Sequence, residues 1–279
     1  MTLTLSAPLR DFAIGLHTQT ERHVVALRLD PSQMSQRFMI QAFDAQQFYE
    51  TETTQFLGAI LRPGDTFIDI GAHVGYFAMV AATFVGAMGS VYAFEPNAEN
   101  YARLVEHIEL NRAWQVQPLH LAVGDHEHVA TFFINADNDG GHALWDVALH
   151  PQCEQTRHGG EQRRVFVTSL DRFLAERPIG SLRAIKIDAE GSEVAVLRGA
   201  ARALERHQVP FVIAEVNRFG LEQMGTSERE LRELMAELGY EAWVIVPGET
   251  QLAQLLPESE VETEYVFNLL FRRPGAEIG

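Results

Sequence analysis

The sequence predicts an α/β protein built on a doubly wound, mostly parallel sheet of seven strands with one antiparallel edge strand. From about residue 62 onward, short β-branched or aromatic runs alternate with stretches whose apolar residues recur at helical spacing, which is typical of crossover connections. Hydrophobic residues make up 46% of the 279 residues, enough for one large core. The last two strand-like runs have only a loop between them, which predicts a hairpin and hence the antiparallel edge.

The elements follow one another from a turn at residues 62–65. Each predicted strand is a short run rich in Val, Ile, Phe or Tyr. In chain order these strands cover residues 66–70, 90–94, 116–123, 184–188, 211–216, 241–246 and 265–271. Predicted helices follow a glycine turn at 71–75, cover 97–110 and about 170–176, and begin at residues 192 and 227. The last helix carries a Ser227–Glu230 capping box and ends at Gly239.

We expect a single domain over residues 1–279, since neither a linker nor an internal repeat divides the chain. Residues 1–60 are predicted to form an N-terminal extension that packs on this domain. Residues 126–182 interrupt the alternation beside the strand ends, and functional loops occupy such places on rigid scaffolds. We therefore expect this insertion to form the acceptor side of a site, with help from Phe132, Phe133 and Trp145.

Charge and composition exclude several classes of partner. The formal charge is −16. This argues against nucleic acids and anionic membranes as partners, because both are negatively charged and bind positively charged protein surfaces. No run of 18 apolar residues and no signal-peptide pattern occurs, and Cys153 is the only cysteine, so a reducing cytoplasm is the expected location. Lys186 is the only lysine beside 21 arginines. The oligomeric state is not predictable from these features.

Polar residues stand where the predicted parallel strands end, which is where ligands bind in open α/β sheets. Asp69 ends the first strand and precedes Gly71 and Gly75, although the G-x-G-x-x-G dinucleotide pattern is absent. Glu95 follows the second strand, where an acidic residue can accept both hydroxyls of a ribose. Asp188 and Glu190 follow the fourth. Each feature alone also fits an ordinary turn or a helix cap, but their joint order predicts a nucleoside-binding cleft.

Five segments together resemble one known family. The segments TFIDIGAHVGYFA, VYAFEP, LAVGD, TSLDRFL and KIDAEGSE are similar to those of the FkbM family of S-adenosylmethionine-dependent O-methyltransferases. The resemblance runs from about residue 49 to residue 273, and its most specific part, residues 185–193, contains Lys186. Two positions depart from the family pattern: His73 replaces the usual Asn, and Asn217 replaces a frequent His.

The resemblance implies a Rossmann-like class I methyltransferase fold, S-adenosyl-L-methionine as the cofactor and a small-molecule hydroxyl acceptor, a sugar or a polyketide-like natural product. Asp69 would lie beneath the glycine loop and organise its backbone. The cofactor-binding residues it implies are Asp69, Gly71, Ala72, His73, Gly75, Tyr76, Phe77, Glu95, Pro96, Asn97, Ala122, Val123, Gly124 and Asp188.

Methyl transfer to an alcohol requires a group that removes the hydroxyl proton. Asp188 and Glu190 are the first candidates for this base, because both leave the strand end near the expected position of the methyl group. His142, in the insertion, is the next candidate, although a single loop histidine is commonly only solvated.

Several alternatives remain open. The protein could be an NAD-dependent oxidoreductase on a similar fold, or a cofactor-binding protein without catalytic activity. A divalent metal held by Asp188, Glu215 and Asn217 is chemically conceivable, but we expect none. His126 and His128 have the H-x-H spacing that suits a metal on one face of a strand, and ordinary exposed histidines are the simpler interpretation.

Overall fold

The computed structural model describes residues 8–18, 21–158, 160–245, 252–256, 259, 261–263 and 266–278. The strands are β1 (Arg10–His17), β2 (Arg22–Leu29), β3 (Thr66–Ile70), β4 (Ser90–Phe94), β5 (Val116–Leu119), β6 (Ala122–Val123), β7 (His128–Ile134), β8 (Glu161–Thr168), β9 (Leu182–Ile187), β10 (Phe211–Val216), β11 (Glu241–Val244), β12 (Ala253–Leu255) and β13 (Phe267–Arg272). The helices are α1 (Met34–Asp44), α2 (Thr51–Ile60), α3 (Tyr76–Val85), α4 (Ala98–Asn111), α5 (Leu170–Ala175), α6 (Glu193–Arg198), α7 (Ala201–Arg206), α8 (Arg218–Gln223) and α9 (Glu228–Glu237).

The central sheet confirms the predicted α/β class and corrects its details. Among the described residues it has eight strands rather than seven, in the order β12-β11-β13-β10-β9-β3-β4-β5. The strands from β10 to β5 are parallel, whereas β13 is antiparallel to both of its neighbours.

The sequence predicts an antiparallel strand at the edge of the sheet. This prediction is wrong, because the antiparallel strand β13 lies inside the sheet, between β11 and β10. The crossover through α9 makes β11 parallel to β10 but leaves room for one strand between them. The chain then returns as β13, which occupies that place and is antiparallel to both. The outermost strand is β12, which pairs with β11. Residues 246 and 265, at the ends of the two predicted closing strands, lie outside the described residues.

The predicted strand over 116–123 is wrong as a single element. A tight turn, in which the Leu121 N–H donates to the Leu119 carbonyl at 2.9 Å, redirects the chain after β5. Its second half, β6, pairs with β8, and β8 pairs with β7 to form a separate three-stranded sheet. This second sheet is the body of the predicted insertion.

The helix predicted to begin at residue 192 is divided at Gly199 and Ala200 into α6 and α7. A β-carbon on Gly199 would lie 2.1 Å from the carbonyl oxygen of Gly124, so only glycine allows the approach. The Gly199 carbonyl accepts the Asp171 N–H at 2.8 Å, a bond to a residue outside the helix. Apolar spacing alone does not reveal such a break.

Two hydrophobic clusters cover the two faces of the central sheet. Successive residues of a strand face opposite sides, so Phe67 of β3 joins one cluster and Ile68 joins the other. All five residues of β3 are buried, as expected for a central strand covered on both faces. No helix of the described residues is both long and apolar enough to cross a membrane.

The N-terminal residues, predicted only as an extension that packs on the domain, form the hairpin β1–β2 followed by α1 and α2. Buried residues of the hairpin and α1, such as Leu27, Leu29 and Met39, belong to the first cluster. His107 of α4 ties the hairpin to the glycine loop, because its Nδ1 donates to the Val74 carbonyl at 2.7 Å and its Nε2 accepts the Arg28 N–H at 2.9 Å. This packing sets the N-terminal segment over the carboxyl ends of the strands.

Candidate active site

The carboxyl ends of β3, β4, β9 and β10 open into a cavity of about 330 Å³. Most of the predicted site residues lie in its wall, on the glycine loop, the strand ends and the insertion. Those that line it are Gly71, Ala72, His73, Tyr76, Phe77, Glu95, Pro96, Ala122, Val123, His142, Asp188 and Glu190. Four predicted cofactor residues, namely Asp69, Gly75, Asn97 and Gly124, are not among the lining residues.

The glycine loop needs its two glycines for different reasons. Gly71 has a φ of +78°, and a β-carbon there would lie 1.8 Å from the carbonyl oxygen of Asp188. Gly75 has a φ of +91°, and its β-carbon would lie 2.5 Å from Leu104 Cδ1. The first glycine therefore lets the loop pass close to the end of β9, and the second lets α3 begin against α4.

Glu95 holds the glycine loop through its backbone. Its carboxylate accepts the N–H groups of His73 at 2.8 Å and of Asn97 at 2.7 Å. Burial raises its pKa to about 7, although the bond from Asn97 and the nearby His73 oppose the shift. Asn97 itself caps α4, since its side-chain oxygen accepts the N–H groups of Glu99 and Asn100.

Asp69 lies beneath the loop and is buried, but its carboxylate oxygens have no hydrogen-bond partner among the described residues. Burial raises its pKa to about 7, and the charge of Lys186 only partly opposes this. The predicted role of Asp69 as organiser of the loop backbone stays a prediction, with the Ala78 backbone in the first turn of α3 as a minor influence that lowers its pKa. Glu95 makes a bond to the loop, at His73.

A buried ion pair lies at the floor of the cavity. Lys186 donates to the Asp188 carboxylate at 2.8 Å, and its ammonium lies 4.7 Å from the ring centre of Phe77. Burial would lower the pKa of Lys186, but the charges of Asp188 and Glu50 outweigh it, so that pKa is raised. Lys186 is therefore ionised, and its charge faces several acids.

The acids around Lys186 differ in their proton affinity. Burial favours a raised pKa at Asp188, but Lys186 and a hydrogen bond with Glu215 lower it below the usual range. Burial and the charge of Asp188 raise the pKa of Glu190 to about 8, and burial with the same charge holds that of Glu215 well above its usual range. The carboxylates of Asp188, Glu190 and Glu215 have oxygens within 4.8 Å of one another, which also suits a hard divalent cation.

Glu190 is held in place by two side chains. The Asn217 side-chain amide donates to the Glu190 carboxylate at 2.7 Å, while its oxygen caps α8. The Trp145 indole N–H donates to the Glu190 backbone carbonyl at 2.6 Å, in a turn where Glu190 adopts a φ of +48°. Trp145 thus supports the turn rather than lining the cavity, whereas Phe132 of the insertion does line it.

A polar bridge joins the glycine loop, the insertion and α1 at the cavity rim. His73 Nε2 donates to the Asp139 carboxylate at 2.8 Å, and Asp139 also accepts the Ser35 N–H at 2.7 Å and the Gln36 amide at 3.0 Å. Burial would raise the pKa of Asp139, but its bond and charge interaction with His73 lower it to about 2. Asp139 is therefore ionised within the bridge.

His142 is in a tautomer that does not suit a general base. Its Nδ1 accepts the Asn135 N–H at 3.0 Å, so the ring proton is on Nε2. Burial lowers its pKa to about 4, which keeps the ring neutral near pH 7. In this arrangement His142 can donate a hydrogen bond into the cavity but cannot take a proton at Nε2.

Other lining residues were not predicted as site residues. They are Ser35, Phe38, Met39, Tyr49, Glu50, Asn100, Leu144, Lys186 and Ser192, among others. Glu215, which the sequence offered only as a conceivable metal ligand, lines the cavity too. Two features of the sequence could have pointed to residues of this cavity, namely the single lysine and the position of Glu215 at the end of a strand. Nothing in the pattern around Tyr49 and Glu50 indicates that the N-terminal segment reaches the cavity.

The chain is similar to known methyltransferases. Residues 69–242 match the model of the methyltransferase FkbM domain. The chain is 31% identical over 186 residues to the 31-O-demethyl-FK506 methyltransferase FkbM of Streptomyces tacrolimicus, covering 57% of this chain and 68% of that protein. It is 24% identical over 173 residues to the hexuronic acid methyltransferase AglP of Haloferax volcanii, covering 62% of each chain.

A solved structure of an FkbM methyltransferase from Methylobacillus flagellatus is also similar. It has 16% sequence identity and a TM-score of 0.43, and the match covers 80% of this chain. The chain spans only about half of that structure, 52%.

Proposed function

Because this chain belongs to the FkbM methyltransferase family, we propose that it transfers a methyl group from S-adenosyl-L-methionine to a hydroxyl group of a small molecule, a sugar or a polyketide-like natural product. Its relatives are named as methyltransferases of 31-O-demethyl-FK506 and of a hexuronic acid. Family membership favours this function over the oxidoreductase alternative. The observation that carries the proposal is that the glycine loop, Glu95 and the acids of β9 and β10 face one cavity.

The residues of the cavity fit this cofactor. Glu95 uses one oxygen for each backbone N–H, which leaves acceptor capacity for ribose hydroxyls. The Ser192 hydroxyl is buried in the wall and has no hydrogen-bond partner among the described residues, so a polar ligand would satisfy it. An apolar surface for the adenine ring of the cofactor is offered by Ala122, Val123 and Phe132.

The bound cofactor supplies an electrophilic methyl group on a cationic sulfonium. The acid-rich floor formed by Asp188, Glu190 and Glu215 suits such a charge, because a nearby cation favours ionised carboxylates. The same effect lowers the pKa of Glu190 from its raised value of about 8. Cation binding therefore shifts Glu190 toward its ionised, proton-accepting form.

Glu190 is the residue that we propose as the general base. A base works best when its pKa lies near the working pH, which holds for Glu190 but not for Asp188, whose pKa is lowered by Lys186. In this proposal Glu190 takes the hydroxyl proton and Asn217 fixes its carboxylate. Asp188 keeps Lys186 paired, and His142 donates a hydrogen bond that orients the acceptor.

Transfer of a labelled methyl group tests this function. The purified protein is incubated with methyl-labelled S-adenosyl-L-methionine and a panel of sugars, uronic acids and macrolides that carry free hydroxyls, with Mg²⁺ or with EDTA. We expect the labelled methyl group to appear as a methyl ether on at least one acceptor. If no metal takes part, the transfer rates with Mg²⁺ and with EDTA should be equal. Binding of the cofactor without transfer to any acceptor would favour the inactive alternative.

A further inference from the structure

We propose that Asp125, His126 and His128 form a binding site for a transition-metal ion of the Zn²⁺ type, on the turn that joins β6 to β7. These three side chains each offer a ligand atom, and the ligand atoms lie within 4.8 Å of one another. The His126 and Asp125 side chains are 68% and 49% exposed, so an ion can reach them from solvent. This turn lies outside the residues that line the cavity.

Both histidines have the same tautomer. His126 Nδ1 lies 2.6 Å from the Asp125 carboxylate, and His128 Nδ1 lies 3.1 Å from the His126 carbonyl oxygen. Since a carboxylate and a carbonyl can only accept, each Nδ1 carries the ring proton and donates it. In the neutral ring this leaves the lone pair on Nε2, the nitrogen through which each imidazole would bind a metal.

The two rings are already close together. Their centres are 4.4 Å apart and their planes are 24° apart, so the rings are stacked on the same side of the chain. Two nitrogen ligands of one Zn²⁺ ion lie about 3.3–4.2 Å apart, given Zn–N bonds of about 2.0–2.1 Å. Both histidines are exposed, so their side chains are free to turn their Nε2 atoms toward one ion.

The backbone of the turn is anchored on both sides. The Gly124 N–H donates to the Thr168 carbonyl at 2.8 Å, and His128 pairs with Val167 at the start of β7. A rigid backbone lowers the entropy that ordering the ligands costs, compared with a free loop. An ion bound here would join the end of β6, whose Ala122 and Val123 line the cavity, to the start of β7.

The donor set determines the class of ion. Imidazole nitrogens suit Zn²⁺, Ni²⁺ and Cu²⁺, whereas Mg²⁺ and Ca²⁺ prefer oxygen ligands. Asp125 adds a negative charge and orients His126, because its carboxylate accepts the Nδ1 proton of that ring. The acid cluster in the cavity offers only oxygens and favours the harder ions, so the two places differ in selectivity.

Titration of the 279-residue chain with Zn²⁺, followed by calorimetry, tests the site. We expect one ion per chain, binding at least about 10-fold weaker in Asp125→Asn and lost in the His126→Ala/His128→Ala double variant. His17→Ala, which removes an exposed histidine of β1, is the matched control and should bind as the wild type does. Equal Zn²⁺ affinity in the double variant and the wild type would overturn the proposal, as would no binding to the wild type.

Cu²⁺ provides an independent measurement. Electron paramagnetic resonance of the Cu²⁺-loaded protein should show coupling to two imidazole nitrogens, and this signal should disappear in the double variant. Thermal unfolding in EDTA should be unchanged in that variant, because both side chains are exposed and make local contacts only. A spectrum with oxygen ligands alone would place the ion elsewhere and contradict the proposal.

Discussion

Asp188 and Glu190 leave the same strand end but differ in their electrostatic surroundings. Lys186 contacts Asp188 directly at 2.8 Å, whereas the side-chain bond to the Glu190 carboxylate, within the described part of the chain, comes from the neutral amide of Asn217. Side-chain alternation places Lys186 and Asp188 on one side of the strand, but the sequence does not show how far the lysine changes the proton affinity of either acid. The structure separates them by proton affinity, and the following predictions test that difference.

Glu190→Gln is expected to lower the methyl-transfer rate by about 10²–10⁴-fold while cofactor affinity stays near that of the wild type. Because Glu190 must lose its proton to act, the wild-type rate should rise with pH as Glu190 ionises, with a midpoint at or below its pKa of about 8. The variant should lack this rise. A pH–rate profile of both proteins checks this, and a Glu190→Gln enzyme with wild-type turnover would exclude Glu190 as the base.

Lys186→Met should destabilise the fold, because it leaves buried acids without their cation. Removing one partner of a buried ion pair costs about 3–5 kcal/mol in free energy of unfolding. The loss should shrink as the pH falls, since Asp188 without Lys186 would have a raised pKa and bind a proton in the folded state. Urea unfolding at neutral and acidic pH measures both effects.

Arg183→Met is the matched control for the Lys186 variant. Arg183 lies on the same strand, but its guanidinium donates to the backbone carbonyls of Ile60 and Glu277. The Arg183 variant also loses one positive charge, but the groups that lose their hydrogen bonds are backbone carbonyls and not carboxylates. The loss in free energy of unfolding should therefore be smaller than that of Lys186→Met. Equal losses in the two variants would argue against a special role for the buried pair.

The glycine loop is an element that the sequence predicted well. Its place after β3 and its two glycines followed from the strand pattern, and both glycines have positive φ. The break at Gly199 and the division of the 116–123 strand were not predictable. Both depend on contacts with residues distant in sequence, Gly124 and β8, which local spacing does not contain.

Gly71→Ala should abolish cofactor binding and destabilise the fold. Its β-carbon would collide with the Asp188 carbonyl oxygen at 1.8 Å, so the loop or the end of β9 must move. Gly64→Ala is the control, because Gly64 also has a positive φ of +90° but no atom within 4 Å of the added carbon. Calorimetry with S-adenosylhomocysteine should show binding by the Gly64 variant alone, and binding by both would refute the close-approach argument.

Trp145→Phe should change acceptor kinetics and leave cofactor affinity unchanged. It keeps an aromatic ring against Phe219 but removes the N–H that donates to the Glu190 carbonyl. We expect a lower kcat, since the turn that carries Glu190 loses a bond worth about 0.5–1.5 kcal/mol. If steady-state kinetics stay at the wild-type values, the insertion does not act on Glu190 through Trp145.

For the whole molecule, the predicted α/β class and the family are confirmed, while the N-terminal contribution to the site was not predicted. Short apolar runs mark the inner parallel strands, because nearly every residue of β3 and β10 is buried. Residues 1–60 lack a comparable pattern. They reach the cavity through Ser35, Tyr49 and Glu50, and this contact depends on packing against segments that are distant in sequence. The insertion and the N-terminal segment meet at Asp139, a bridge that no local pattern encodes.

Binding of S-adenosylhomocysteine to the wild type and to Glu95→Ala, measured by calorimetry with NAD as the comparison ligand, tests the central claim most directly. We expect one molecule of S-adenosylhomocysteine per chain, no binding of NAD, and a loss of about 1–3 kcal/mol in binding free energy in Glu95→Ala. Binding of NAD without any response to S-adenosylhomocysteine would contradict the assignment of this cavity.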